Sequence, residues 1–219
     1  MTLSPTRPKP QLVITGFQPF GDHDYNPSWD VARSMAEVCD ARARLLPVTF
    51  TTAAQFARAH LTAARPSPLF FVHLGLAADR QEICFERRAK NVRDNKPDNM
   101  ERTLPVRLPK TRELVTGDRD ERITLMDLDS LIANFNESIS GGSLPTARVS
   151  EDCGKYVCNA LLYHSLRSCE EARANGHGAQ AIFIHVPPLS TEDAQEAGRH
   201  LAEALLKQRS AIINSPLFV

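Results

Sequence analysis

The chain has 219 residues, and its 26 Lys and Arg side chains balance 26 Asp and Glu side chains, so the formal net charge is zero. Because nucleic acids and anionic membranes attract proteins with an excess of positive charge, neither is expected as a partner. The composition, 42% hydrophobic and 24% charged, is typical of a globular protein. A chain of roughly 200 residues can enclose a single core. We therefore expect one domain over residues 11–219 and a flexible, proline-rich tail over residues 1–10.

The sequence also bears on the cellular compartment. It carries no run of about 18 apolar residues, the length that a membrane span requires, and its first residues lack the apolar segment of a secretory signal. An odd, scattered set of cysteines fits a reducing compartment better than a disulfide framework. The five are Cys39, Cys84, Cys153, Cys158 and Cys169. We expect a cytoplasmic protein.

Strand and helix patterns alternate along the chain. Short apolar or β-branched runs predict strands, and apolar residues at helical spacing predict helices. In chain order the pattern predicts strand 11–15, helix 29–38 with Ser28 as its N-cap, strand 44–50, helix 52–64, strands 68–76 and 80–86, a polar arm over 87–124, helices 127–135 and 155–171, strand 180–186 and helix 191–206. This alternation favours a single three-layer α/β/α domain with a mostly parallel or mixed central sheet.

Several common functional motifs are missing from the sequence. It contains no glycine-rich phosphate loop, no His-Glu-x-x-His, no pair of Cys-x-x-Cys motifs and no Gly-x-Ser-x-Gly. Nucleotide binding, a zinc site and serine hydrolysis are therefore not favoured. The candidates that remain are thiols and imidazoles near the ends of strands and helices, where α/β sheets usually carry their sites.

Cys158 is the first candidate for a nucleophile. It falls near the start of the helix predicted over 155–171, where the helix dipole and free backbone N–H groups stabilise a thiolate or an oxyanion. The structural alternative is a buried, inert cysteine. Cys153, five residues earlier, is a competing nucleophile.

His185 and Glu86 are candidates for the partners of that thiol. His185 ends a buried strand just before Pro187 and is placed to act as a base, with His73 as a rival. Glu86 ends an apolar strand and is suited to orient an imidazolium. The structural alternatives are a hydrogen-bonded core histidine and a solvated glutamate paired with Arg87 or Arg88.

The loop Gly-Phe-Gln-Pro-Phe-Gly over residues 16–21 carries two aromatic side chains, Phe17 and Phe20. Its glycines and proline force a tight path. We expect these rings either to line a small apolar pocket or to return to the core.

Four segments together resemble the pyroglutamyl peptidase I family, a cytoplasmic family of cysteine peptidases. They are TGFQPFGDHDYNPSW at 15–29, HLGLAADR through CFERRAKN at 73–91, VSEDCGKYVCN at 149–159 and FIHVPPL at 183–189. The resemblance implies Cys158 as nucleophile, His185 as general base and then acid, and Glu86 as the residue that orients the histidine. No metal or organic cofactor is expected.

The resemblance also implies the substrate and its pocket. The substrates are small peptides with an N-terminal pyroglutamate, Phe17 and Phe20 line the pocket for the ring, and Asn26 with the backbone around Leu76 serves its polar edge. Family members commonly assemble, which implies a homo-oligomer, either a tetramer or a dimer.

The sequence departs from the family pattern at one site position. The family places an arginine about ten residues after the catalytic glutamate, before Pro-Asp-Asn, and this chain offers Lys96 or Arg93 there. Lysine does not reproduce the planar fork of arginine. This difference leaves an alternative function, a homologue that binds small cyclic or peptide ligands without turnover. A separate alternative is a redox protein that uses Cys153 and Cys158.

Overall fold

This computed structural model describes residues 11–61, 67–103 and 112–214. The predicted tail over residues 1–10, the last residues of the predicted helix 52–64 and residues 104–111 of the polar arm lie outside these ranges. In chain order the strands are β1 (Gln11–Phe17), β2 (Arg42–Leu46), β3 (Leu69–Leu76), β4 (Ile83–Glu86), β5 (Arg88–Lys90), β6 (Glu121–Ile123), β7 (Ala147–Ser150) and β8 (Ala179–Val186). The α-helices are α1 (Ser28–Val38), α2 (Phe50–Leu61), α3 (Leu128–Ser138), α4 (Val157–Ala174) and α5 (Thr191–Asn214), and Glu101–Thr103 forms a 3₁₀ turn.

Six of the strands form one mixed sheet in the order β2-β1-β3-β8-β4-β7. Neighbouring strands are parallel except β4 and β8, which run antiparallel. The α/β prediction is confirmed. The sheet separates two buried clusters, one against α1, α3 and α5 and the other against α2 and α4. Strands β3 and β8 are buried along their full length, as expected for central strands covered on both faces.

The first strand is longer than predicted, and its end changes the interpretation of the loop that follows. Gly16 and Phe17 pair with Leu45 and Leu46 of β2, so both belong to β1. A Cβ on Gly16 would lie 2.5 Å from the backbone oxygen of Ser28, which explains the need for glycine there. The predicted N-cap is wrong: α1 begins at Ser28, and the Ser28 hydroxyl accepts a hydrogen bond from the Phe17 N–H instead.

The polar arm folds back onto the domain. Strands β5 and β6 pair in a small antiparallel sheet. The Asn159 side chain of α4 accepts a hydrogen bond from the Lys90 N–H and donates to the carbonyls of Lys90 and Val92. The arm is therefore attached at the start of α4. In the part of the chain that the structure describes, no helix is both long and apolar enough to cross a bilayer.

Candidate active site

The site is built on the face of the sheet that α4 covers. Side chains alternate between the two faces of a strand, and Phe183 of β8 packs in the cluster against α2 and α4. His185, two residues later, therefore points to the same face, at the carboxyl end of β8. Glu86 of β4 is the register partner of Phe183, and Cys84 is the partner of His185, so both share that face.

Glu86 and His185 are in direct contact. The Nδ1 atom of His185 lies 2.7 Å from Oε1 of Glu86, and both side chains are buried. Arg80 donates to the same carboxylate oxygen at 2.5 Å and to the Asp152 carbonyl at 2.7 Å. The alternative in which Glu86 is a solvated acid paired with Arg87 or Arg88 is wrong: those arginines pair with Asp129, Glu121 and Glu151.

Cys158 is the second residue of α4 and lies against the end of β3. A Cβ built on Gly75 would meet its sulfur at 3.1 Å, and Gly75 is the register partner of His185. The thiol, the imidazole and the carboxylate therefore gather at one edge and on one face of the sheet. Among the described residues no side chain caps the N-terminus of α4. Its first N–H groups are thus available to a ligand.

The electrostatics of the thiol favour the neutral form. The side chain is half-buried. Burial and the negative charge of Glu86 raise the pKa of the Cys158 thiol to about 12, although its backbone N–H and Arg80 act in the opposite direction. A neutral thiol needs a base to accept its proton during nucleophilic attack, and the imidazole of His185 lies on the same face of the sheet.

The two rival candidates have other surroundings. His73 is fully buried, with its ring nitrogens 2.8 Å from the Thr15 hydroxyl and 2.9 Å from the Ser165 hydroxyl. Burial lowers the pKa of His73 to about 3, so it is a neutral core histidine. Cys153 is buried in the loop between β7 and α4, where burial and the charge of Glu86 raise the pKa of its thiol well above the usual value.

Three of the four residues expected to form the pocket lie at the end of β1 or in the loop that follows it. Phe17 is buried and its ring centroid lies 6.4 Å from that of Phe183, whereas Phe20 is half-buried and lies 6.2 Å from Tyr156. Asn26 is buried, donates to the Gln18 carbonyl and accepts from the Ser28 N–H, so its side chain holds the loop. Leu76 ends β3 beside Gly75.

Lys96 and Arg93 occupy different environments. Arg93 is buried, binds the Glu101 carboxylate through both terminal nitrogens at 3.1 and 2.7 Å, and stacks on the Phe50 ring at 3.5 Å from its centroid. Lys96 is exposed, and its ammonium lies 5.2 Å from the centroid of the Tyr156 ring. Arg93 is therefore engaged in an internal ion pair, and Lys96 is the more available cation of the two.

Three residues of this region, Arg80, Tyr156 and Phe50, are not indicated by the sequence pattern. Arg80 follows the β3 strand within a quoted motif, but nothing in its pattern indicates contact with Glu86. Tyr156 directly precedes α4, and its hydroxyl donates to the Pro97 carbonyl at 2.9 Å. The Phe50 ring lies 5.7 Å from Tyr156, edge to face. These rings extend the aromatic wall that begins at Phe20.

Proteins with similar sequences and folds are peptidases of one kind. Pyrrolidone-carboxylate peptidase of Thermococcus onnurineus (strain NA1) is 30% identical over 212 residues, covering 94% of this chain and 98% of the relative. The enzyme of that name from Chromobacterium violaceum is 33% identical over 192 residues, covering 85% and 82%.

Two solved structures share the fold. Pyroglutamyl peptidase I of Bacillus amyloliquefaciens aligns with a TM-score of 0.73 at 20% identity, covering 92% of this chain and 98% of its own. Pyrrolidone carboxyl peptidase of Pyrococcus furiosus aligns with a TM-score of 0.70 at 25% identity, covering 91% and 99%. The fold and these relatives define a hydrolase of the cysteine peptidase class. The family model described as pyroglutamyl peptidase matches residues 10–207, and the chain belongs to this family.

Proposed function

We propose that the protein is an omega-peptidase that hydrolyses the amide bond after an N-terminal pyroglutamyl residue of small peptides. Cys158 is the nucleophile, His185 the general base and then acid, and Glu86 the residue that orients the imidazole. The proposal is carried by the 2.7 Å contact between Glu86 and His185 on the face where α4 begins with Cys158. Membership of the pyroglutamyl peptidase family supports the substrate class.

The reaction follows from the roles of these groups. As the Cys158 sulfur attacks the pyroglutamyl carbonyl carbon, its proton passes to His185 and the carbonyl oxygen becomes an oxyanion. N–H groups at the start of α4 stabilise that charge. The C–N bond then breaks, and His185 returns the proton to the leaving amine. Water, deprotonated by His185, attacks the thioester, releasing pyroglutamate and the free thiol.

Specificity in this proposal depends on burial of an uncharged ring. Pyroglutamate has no ionisable amine, so its ring enters an aromatic pocket without the cost of burying a charge. Phe17 and Phe20 line the pocket, with Tyr156 and Phe50 continuing its wall. Asn26 shapes the loop through its two backbone contacts, and the backbone around Leu76 serves the polar edge of the ring.

The setting of the enzyme is part of the proposal. We infer a cytoplasmic location, which the absence of disulfides among the described cysteines supports. One domain over residues 11–219 and assembly into a tetramer or a dimer remain predictions. Light scattering of the purified protein tests the assembly directly.

The experiment that tests this function measures release of a fluorescent amine from a pyroglutamyl amide under reducing conditions. The wild-type protein is compared with Cys158→Ala and with Cys153→Ala, the matched cysteine control. We expect Cys158→Ala to lower kcat by at least about 10³-fold. Cys153→Ala should stay within about tenfold of wild type, because the mechanism gives it no role.

A prolyl amide with the same leaving group is the substrate control. It has the same ring size, but its amine is charged at neutral pH, so turnover should be far slower. Circular dichroism verifies that each variant is folded. A folded wild-type protein that leaves the pyroglutamyl amide intact, or a Cys158→Ala variant that still turns it over, would refute the proposal.

A further inference from the structure

Cys153 occupies a position that the proposed mechanism does not use. It is 5% exposed and lies in the loop between β7 and α4. Its sulfur, one carboxylate oxygen of Glu86 and one ring nitrogen of His185 all lie within 4.8 Å of one another. Among the described residues this is the only such group of three or more potential metal ligands. A sulfur donor therefore lies beside the carboxylate and the imidazole of the proposed triad.

The carboxylate of Glu86 has a free coordination position. Both of its described contacts, from Arg80 and His185, go to Oε1. Oε2 is buried and has no hydrogen-bond partner in the described part of the chain. A buried carboxylate oxygen without a hydrogen-bond donor lowers the stability of the folded protein. A cation bound at Oε2 would satisfy it and leave the Arg80 contact at Oε1 in place.

We propose that Cys153, Glu86 and His185 form an inhibitory binding site for a thiophilic divalent cation of the Zn²⁺ class. Sulfur, imidazole nitrogen and carboxylate oxygen are the ligands that Zn²⁺ takes in proteins, at about 2.0–2.3 Å. Tetrahedral coordination at those lengths separates ligand atoms by roughly 3.3–3.8 Å. Because no two of the three donor atoms are more than 4.8 Å apart, this geometry requires changes of at most about 1.5 Å in their separations. Three protein ligands leave a fourth position for water.

Binding changes the charge and proton balance of the site in a defined way. The Cys153 thiol loses its proton to solvent as the sulfur–metal bond forms. The thiolate and the Glu86 carboxylate then carry two negative charges, the ion and the Arg80 guanidinium carry three positive charges, and binding raises the net charge of the site by one. No electron is transferred, and removal of the ion by a chelator returns the thiol.

The consequence for catalysis rests on the proposed function. If the ion takes the Nδ1 atom of His185, it replaces the contact with Glu86 that orients the ring. If it takes Nε2, it occupies the atom left to exchange protons with the substrate. Either choice removes the base while Cys158 itself stays unbound. Zn²⁺ inhibition through Cys153 is thereby distinguished from capture of the catalytic thiol.

Metal binding is tested first in a form that cannot turn over substrate. Co²⁺ replaces Zn²⁺ as the probe, and the full chain carries Cys158→Ser, so that any thiolate-to-cobalt absorption must come from another cysteine. We expect the band to appear, to disappear on addition of Zn²⁺, and to be lost when Cys153→Ala or Cys153→Ser is added. Cys169→Ala is the matched control, since Cys169 is buried on the same side of the sheet as Cys153 but is outside the cluster.

Inhibition by Zn²⁺ is then measured on the pyroglutamyl amide with Cys158 intact. Loss of an outer-shell partner of a metal ligand already costs up to about 100-fold in affinity, so loss of the Cys153 ligand should raise the inhibition constant by at least about 100-fold in Cys153→Ala. The constant should be unchanged in Cys169→Ala, and a chelator should restore activity. Equal inhibition of wild type and Cys153→Ala would overturn the proposal, as would a cobalt band that survives in the Cys153 variants or is absent altogether. If the wild type shows no turnover, the proposed function fails, and the cobalt experiment still decides the metal site.

Discussion

Glu86 and His185 are separated by 99 residues in the chain and joined by a 2.7 Å contact between Oε1 and Nδ1. The antiparallel pairing of β4 with β8 produces this contact. Glu86 stands opposite Phe183, so the carboxylate and the imidazole are diagonal neighbours on one face. This pair, the only antiparallel one among the described strands of the six-stranded sheet, thus brings the Glu86 carboxylate to the His185 imidazole.

We predict that Glu86→Gln lowers kcat by about 10²–10⁴-fold with a smaller effect on KM, because the amide cannot hold and stabilise the imidazolium. Steady-state kinetics on the pyroglutamyl amide measure both constants. Glu82→Gln is the control, since Glu82 pairs at the surface with Arg148. Equal losses in the two variants would show that the charge of Glu86 has no special role.

Arg80 is predicted to be a positioning residue that acts through Glu86. Lysine keeps its charge but not the two-pronged contact to Glu86 and to the Asp152 carbonyl. Arg80→Lys should lower kcat by about 10–100-fold with little change in KM, by analogy with the loss caused by removing the hydrogen-bond partner of a metal-binding side chain. Arg87→Lys, at a surface pair, should stay near wild type. A change confined to KM would contradict this role.

His73 is predicted to make the fold sensitive to acid. Its pKa falls from 6.5 to about 3 in the folded protein because it is buried. Between these pH values the unfolded chain binds a proton that the folded chain does not. The free energy of unfolding therefore decreases as pH falls below about 6.5. The slope from this one group is about 1.4 kcal/mol per pH unit.

The variant His73→Gln tests this assignment because glutamine bonds to hydroxyl groups without titrating. Urea unfolding of both proteins is compared from pH 8 to pH 4. The difference in unfolding free energy between wild type and variant should be constant above pH 7 and move in favour of the variant below pH 6. A difference that does not change with pH would show that His73 is not held neutral.

Arg93 is predicted to stabilise the fold, in contrast to Lys96. Arg93→Met leaves the partly buried Glu101 carboxylate without its bidentate partner and should cost about 3 kcal/mol. Lys96→Met removes an exposed charge and should change the unfolding free energy by no more than about 0.5 kcal/mol. Equal effects in denaturant titrations would refute the difference in environment.

The parts of the fold that were predictable from sequence are those governed by local pattern. Apolar runs marked β3 and β8, and helical spacing marked α1 and α4, because burial imposes a period on the sequence. The end of β1 was misplaced, because Gly16 and Phe17 belong to the strand through their pairing with Leu45 and Leu46 of β2. That pairing is a tertiary contact, and no local pattern records it.

The candidate site also combines residues that the sequence indicated with contacts that it did not. Cys158, His185 and Glu86 were singled out by their positions near element ends, together with the family resemblance. The contact of Arg80 with Glu86 and the nearness of Cys153 to His185 depend on how the loops before β4 and before α4 cross the sheet. Loop paths of this kind are set by pairing between distant strands, which sequence spacing does not reveal.

Cys158 is tested most directly as the nucleophile by identifying the atom that carries the acyl group during turnover. Wild-type protein is mixed with excess pyroglutamyl amide, quenched in acid during turnover, digested and mapped by mass spectrometry. We expect one pyroglutamyl group on the peptide that contains Cys158, absent in Cys158→Ala and unaffected by Cys153→Ala. An adduct on Cys153, or turnover that persists in Cys158→Ala, would contradict Cys158 as the nucleophile.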